Sequence, residues 1–171
     1  MAGLVFVDES GANTKMTRLR GRALGGQRLL ACVPHGHYQT STLIAGVGLG
    51  GPCAPWLFAG AMNGEMFLAW VRQGLAPTLR PGDVVILDNL STHKIRGVRE
   101  AIEAAAARLL YLPPYSPDFN PIEPMWSKIK QSLRSHAPRT EEELLRAAKS
   151  AFDAISSADC KGFLFGAHYA T

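Results

Sequence analysis

The sequence predicts an α/β fold in which a mixed β-sheet is covered by helices on its faces. Three β-leaning stretches open the chain, and two further apolar runs then alternate with helical patterns. Antiparallel strands at the start of a chain, followed by strand–helix–strand units, are typical of a mixed sheet packed against helices. The chain has 171 residues and shows neither a repeat nor a linker-like stretch, so residues 1–171 are predicted to form one domain.

The five strands are predicted from apolar runs and from the turn signals between them. Residues 11–36 are rich in glycine and arginine, and we expect them to form a loop or a loosely paired extension. Gly50-Gly51-Pro52 is a turn signal, so the stretches before and after it are expected to pair as a hairpin. The predicted strands are residues 4–7, 40–49, 53–58, 83–87 and 108–112.

Four helices are predicted from apolar residues at helical spacing. In the third helix, Asn120 is expected to be the N-cap and Pro121 the first helical residue. Thr140-Glu-Glu-Glu143 has the pattern of a capping box before the fourth helix. Residues 159–171 show no clear pattern. The predicted helices are residues 63–76, 93–107, 121 through at least 133, and 141 to about 156.

The composition is that of an ordinary globular protein, with 47% hydrophobic and 19% charged residues. No apolar run is long enough for a membrane span and no signal-peptide pattern is present, so we expect a cytoplasmic protein. The three cysteines are odd in number and widely spaced, which argues against a disulfide framework and a zinc site. The net charge is +4, and basic residues cluster within 15–22 and 128–139, which is typical of either a solvated surface or a phosphate-binding surface.

Three acidic residues occupy comparable positions in the predicted fold. Asp8 follows the first strand, Asp88 follows the central buried strand, and Glu123 opens the helix after the last strand. Side chains at the carboxyl ends of strands converge at one crevice of an open α/β sheet. Carboxylates gathered there would repel one another unless cations bind between them, and oxygen ligands suit Mg²⁺ or Mn²⁺. Two such ions about 4 Å apart could activate a nucleophile and stabilise the leaving oxygen of a phosphodiester.

Each acid also has a purely structural interpretation. Asp8 could be a solvated strand end, and Asp88 with Asn89 could form an Asx-type turn. Glu123 could be the capping-box partner of Asn120. The joint placement of the three acids favours a metal site over these separate alternatives.

Two longer motifs surround these acids. The first is Asp88-Asn-Leu-Ser-Thr-His93 after an apolar run, and the second is Leu112-Pro-Pro-Tyr-Ser-Pro-Asp-Phe-Asn-Pro-Ile-Glu123. The motifs, and the 34 residues that separate Asp88 from Glu123, resemble those of DDE-superfamily transposases. The resemblance is to the mariner-like branch and to its bacterial insertion-sequence members, in which Asp8 matches the first acid.

The resemblance implies an RNase H-like fold and a metal-dependent endonuclease that cleaves DNA and transfers strands. Asp8 would bridge two Mg²⁺ (or Mn²⁺) ions, Asp88 would ligate one ion and Glu123 the other. The partners would be transposon ends and target DNA, held by a homodimer at the bacterial nucleoid, with no membrane and no small-molecule cofactor. The prolines of the second motif, including Pro114, would fix Glu123. Supporting or DNA-contacting roles are expected for Asn89, His93, Ser127, Lys130 and Arg134.

One feature departs from the family pattern, because no helix-turn-helix region for end recognition precedes Leu4 in this sequence. We expect either a catalytic fragment or the second reading frame of an element whose full enzyme is made by frameshifting. Two other interpretations stay open: a different RNase H-like nuclease, and an inactive DNA-binding remnant of a transposase. The proline-rich motif and the 34-residue spacing argue against the first, and the presence of all three acids gives the second no support.

Overall fold

A five-stranded sheet forms the centre of the structure, a computed structural model that describes residues 3–36, 38–113 and 116–169. Its strands are β1 (Leu4–Asn13), β2 (Thr40–Gly48), β3 (Gly51–Ala59), β4 (Val84–Leu87) and β5 (Arg108–Tyr111). They lie in the order β3-β2-β1-β4-β5. β1 runs antiparallel to β2 and parallel to β4, and β5 runs parallel to β4. The predicted mixed sheet is therefore confirmed.

β1 pairs with its two neighbours over different lengths. Its parallel ladder with β4 ends where Val7 lies opposite Leu87. Its antiparallel ladder with β2 continues to Asn13. The prediction that the first strand ends before Asp8 is therefore wrong, because pairing with β2 extends β1 past its ladder with β4. Asp8 is nevertheless the first residue of β1 beyond that ladder.

Helices cover both faces of the sheet, as predicted. Successive side chains of a strand point to opposite faces, which sorts the strand residues between two cores. The helices are α1 (Gly64–Trp70), α2 (Val98–Ala104), α3 (Ile122–His136), α4 (Glu141–Asp153) and α5 (Ser157–Gly166). Val7 and Leu87 pack with α1 and α2, whereas Phe6 and Ile86 pack with α3, α4 and α5. Within the described ranges, no helix has both the length and the apolarity that a membrane crossing requires.

Several helix bounds differ from prediction. α2 begins at Val98 instead of residue 93, because Gly97 has a φ of 101°, which an α-helix interior does not accept. The residues before it form a short 3₁₀ turn, Ser91–Lys94. α1 continues as a π-helical turn, Val71–Leu75, so the predicted helix there is confirmed with a wider last turn. α5 was not predicted, because its apolar residues are not confined to one face of the helix.

α3 carries Glu123 in its first turn and is fixed by a buried stripe. Its predicted apolar face is confirmed, since five residues on it are at most 2% exposed: Ile122, Met125, Trp126, Ile129 and Leu133. The predicted Asn120 cap is wrong, because the N-cap position is Pro121 and no side chain caps this helix. Glu123 is therefore held in place by packing of the helix and not by a capping box. Pro114 and Tyr115 of the preceding motif lie outside the described residues.

We expect Leu133→Ala to lower the free energy of unfolding by about 2–5 kcal/mol, because the fully buried side chain would leave a cavity under α3. Leu145→Ala is the matched control, since Leu145 on α4 is 56% exposed and its loss should cost less than about 0.5 kcal/mol. Urea unfolding followed by circular dichroism measures both. Equal losses in the two variants would contradict the packing described for α3.

Candidate functional site

Two aspartates follow the end of the parallel ladder of β1 and β4, and Glu123 is near enough to act on Asp8 electrostatically. Asp8 and Asp88 directly follow the paired residues Val7 and Leu87, so the two aspartates leave adjacent strands at one level. Glu123 opens α3, which packs on the sheet face that Phe6 and Ile86 share. Burial raises the pKa of Asp8 to about 7, and the negative charges of Glu9, Glu123 and Asp88 add to that rise. The predicted acids are therefore electrostatic neighbours.

Each aspartate is held through one of its two oxygens. Asp8 Oδ1 accepts a hydrogen bond of 2.8 Å from the backbone N–H of Glu9. Asp88 Oδ1 accepts one of 3.0 Å from the backbone N–H of Leu90, which is the Asx-type turn expected as the structural alternative. Neither Oδ2 atom has a hydrogen bond or ion pair with any described residue. The turn thus orients Asp88 and leaves an oxygen available for another ligand.

His93 lies between Asp88 and a fourth acid, Glu9. Its side chain is 0% exposed, with Nε2 at 2.9 Å from Glu9 Oε2 and Nδ1 at 2.6 Å from Asp88 Oδ1. The second contact is an ion pair off the N–H axis, since Nδ1 has no hydrogen bond of regular geometry. Only an imidazolium carries a proton on both ring nitrogens, so a positive His93 suits this position between two carboxylates.

The ionisation of His93 and Asp88 follows from these contacts. Burial alone would lower the pKa of His93, but Asp88 and Glu9 outweigh it and raise that pKa to about 9. For Asp88, partial burial acts in the other direction and would raise the pKa. The contact with His93 and the hydrogen bond from the N–H of Leu90 outweigh burial, and they hold the pKa of Asp88 below its ordinary value.

The sequence predicted His93 as a supporting residue but missed Glu9. Glu9 follows Asp8 in an extended strand, so the two side chains point to opposite faces of the sheet. The ring of His93 lies on the Glu9 face, with its centroid 4.3 Å from that of Phe67 in α1. The alternation of side chains along a strand was the signal that could have placed Glu9 on the face opposite Asp8.

The donor atoms suit a hard divalent cation. Carboxylate oxygens are the ligands that Mg²⁺ and Mn²⁺ prefer. Among the described residues, no three His, Cys, Asp or Glu side chains are grouped closely enough to enclose a metal ion. Mg²⁺ is usually bound by one or two carboxylates together with water and substrate phosphate, so a complete protein cage is not required. The unpaired oxygens of Asp8 and Asp88 fit such a partial set. Glu123 lines a cleft of about 610 Å³ together with Asn120 and residues at the end of α5.

The other predicted supporting residues are not drawn into the carboxylate cluster. Asn89 and Ser127 are exposed and Lys130 is half-buried. None of the three side chains forms a hydrogen bond or ion pair within the described part of the chain. Arg134 lies at the far end of α3, where it lines a second cleft.

This second cleft, the basic groove, joins residues from both basic clusters of the sequence. It has a volume of about 490 Å³ and is lined by Arg18, Leu19, Arg20, Gln131, Arg134 and Ser135. Arg139 holds the first cluster in place by donating to the backbone carbonyls of Thr14 (3.2 Å) and Met16 (2.9 Å). Lys128 is occupied by an ion pair of 2.7 Å with Asp159. Three arginines therefore remain to present positive charge in one groove.

A family model described as DDE superfamily endonuclease matches residues 3–145 of the chain. A comparison with curated proteins finds no significant match. Among solved structures, a pre-cleavage Mos1 transpososome is similar at a TM-score of 0.73 and 16% identity, covering 96% of this chain and 52% of that one. The chain thus spans about half the length of the Mos1 chain.

Two further Mos1 structures are similar over the same region. The Mos1 mariner paired end complex with Mn has a TM-score of 0.72 at 18% identity, covering 96% of this chain and 51% of that one. The Mos1 strand transfer complex has a TM-score of 0.67 at 18% identity, covering 96% and 50%. These likenesses show that the fold is RNase H-like, as expected from the sequence motifs.

Proposed function

The chain belongs to the DDE superfamily of endonucleases, and we propose that it is a transposase catalytic domain that cuts DNA and transfers the cut strand. The observation that carries this proposal is the meeting of Asp8 and Asp88 at the end of one parallel ladder, with Glu123 in electrostatic reach. Asp8 and Asp88 are both partly buried, and an ordinary strand end would not hold two partly buried carboxylates together. Such groupings are common at functional sites.

The proposed cofactor is Mg²⁺ or Mn²⁺, bound as two ions. Asp8 is proposed to be shared between the ions, with Asp88 on one and Glu123 on the other. The fit rests on the unpaired Oδ2 atoms of the two aspartates, and two Mos1 structures are described as containing Mn or Mg. Such ions supply a deprotonated nucleophile and charge stabilisation at the phosphodiester. The turn at Leu90 holds Asp88, and the packing of α3 on the sheet holds Glu123.

The proposed partner is DNA, both as transposon ends and as target. α3 connects the two relevant surfaces, since Glu123 lies in its first turn and Arg134 in its last. With a rise of about 1.5 Å per residue, these positions are roughly 16 Å apart along the helix. A strand cleaved near Glu123 could therefore place its backbone phosphates in the basic groove, where arginine contacts position DNA without reading its sequence.

We further propose that the protein acts as a homodimer on DNA, at the nucleoid in the bacterial cytoplasm. Two transposon ends have to be processed together, which a dimer can do. Asn89 and Ser127 are exposed and Lys130 is half-buried, so these three are proposed as DNA contacts, whereas His93 supports Asp88.

Replacing any of the three acids is expected to abolish metal-dependent DNA processing. Asp8→Asn, Asp88→Asn and Glu123→Gln should each lower the cleavage rate at least about a hundredfold, because each removes a proposed cation ligand. The assay uses duplex DNA that carries the sequences flanking this reading frame in its native element, with Mg²⁺ or Mn²⁺, and it scores both cut and joined products.

The control for this assay is Asp153→Asn, since Asp153 is an acid with a 65% exposed side chain on α4 and should be dispensable. Unchanged cleavage in Asp88→Asn would contradict the catalytic assignment. Cuts that never lead to joined strands would indicate a plain RNase H-like nuclease instead of a transposase.

Neutralising the basic groove is expected to weaken DNA binding at every sequence. Arg18→Gln, Arg20→Gln and Arg134→Gln combined should reduce the slope of log affinity against log salt by about one for each phosphate that the protein no longer neutralises. Fluorescence anisotropy over a salt series measures this slope. The control variant has the same reduction of charge and replaces the exposed Arg99, Lys149 and Lys161 by Gln. This control should retain most of the wild-type slope. Equal slopes in the two variants would show that the groove has no special role.

A further inference from the structure

We infer that Glu9 is a positioning residue, which acts through His93 to hold Asp88 so that Asp88 Oδ2 stays available to a cation. This inference rests on the metal site proposed above and adds to it a residue that would not itself touch the metal.

The contacts form one continuous chain from Glu9 to Asp88. Glu9 Oε2 lies 2.9 Å from His93 Nε2, and His93 Nδ1 lies 2.6 Å from Asp88 Oδ1. The imidazole ring is planar and rigid, so an anchor on Nε2 also determines where Nδ1 points. Asp88 Oδ1 then has two contacts, from His93 and from the N–H of Leu90. Together they set the rotation of the carboxylate and direct its other oxygen away from them.

Glu9 reaches Asp88 only through this ring. In β1 it pairs across the ladder with Ile44, which belongs to the core under α1 and α2. Asp8 points to the other face of the sheet, towards α3. The two neighbouring acids therefore lie on opposite sides of one strand. This separation leaves Glu9 beside His93.

No other polar group fixes the ring of His93 among the described residues. The ring is 0% exposed and packs on Phe67 at a centroid distance of 4.3 Å. The hydroxyl of Tyr111 donates to the backbone carbonyl of His93 at 3.1 Å, which holds the main chain and not the ring. Apart from Asp88 itself, Glu9 is the one hydrogen-bond or ion-pair partner that the ring has in the described part of the chain. Without Glu9, the nitrogen Nε2 would be buried with no acceptor.

The test compares Glu9→Gln with Glu9→Met, two variants of similar length that both lack the negative charge. Glutamine accepts a hydrogen bond from Nε2 through its amide oxygen, whereas the thioether of methionine is at best a weak acceptor, so the comparison isolates the anchor from the charge. We expect Mn²⁺ to bind about tenfold more tightly to the Gln variant than to the Met variant, which is the usual scale for residues that orient metal ligands. The Kd is measured without DNA, from the electron paramagnetic resonance signal of free Mn²⁺.

The same pair of variants is then made in a His93→Phe background. Phenylalanine keeps the ring packing on Phe67 but has no nitrogen, so the difference between Gln and Met at position 9 should disappear. A difference that persists there, or equal Kd values in the original background, would overturn the inference. Should circular dichroism show that Glu9→Met is unfolded, Glu9→Thr takes its place, since threonine suits a strand and is too short to reach Nε2.

Asp88→Asn separates this inference from the proposed function. If wild type and Asp88→Asn have the same Mn²⁺ affinity, both the proposed metal site and the role of Glu9 are refuted. If Asp88→Asn loses Mn²⁺ while the Gln and Met variants bind equally, the metal site stands and the role of Glu9 alone is refuted.

Discussion

The parallel pairing of β1 with β4 is the constraint on which the rest of the site depends. The ladder ends with Val7 opposite Leu87, and this register alone brings Asp8 and Asp88 to the same level of the sheet. The arrangement is unfavourable without a counter-charge, because burial and neighbouring acids raise the pKa of Asp8 to about 7. Strongly shifted carboxyl pKa values of this kind cluster at functional sites. A divalent cation is the ligand that would relieve the repulsion.

Among the described residues, the carboxylates of the site have a cationic partner on one face of the sheet only. On the side of α1 and α2, the imidazolium of His93 lies between Glu9 and Asp88 in a fully buried position. On the side of α3, Asp8 has no cationic partner among the described residues, and Glu123 borders an open cleft. One half of the site is thus closed, and the other half is open to solvent. α3 then links the open half to the arginines of the basic groove.

The sequence was sufficient for the sheet class, the family and the placement of Asp8 and Asp88 after neighbouring strands, because apolar periodicity and the two motifs are local signals. The family match over residues 3–145 confirms the predicted DDE superfamily. The extra length of β1 was not predictable, since it depends on pairing with β2 and not on the composition around Asp8. The late start of α2 depends on the left-handed Gly97, and the contact between Glu9 and His93 spans 84 positions of sequence. Such long-range contacts leave no periodic pattern.

The most direct test of the central claim is diffraction from crystals grown with Mn²⁺, with data collected at the manganese absorption edge. We expect anomalous density in contact with Oδ2 of both Asp8 and Asp88, on the side of the sheet where Glu123 lies. Manganese bound elsewhere on the protein, with these carboxylates turned away from one another and free of metal, would contradict it.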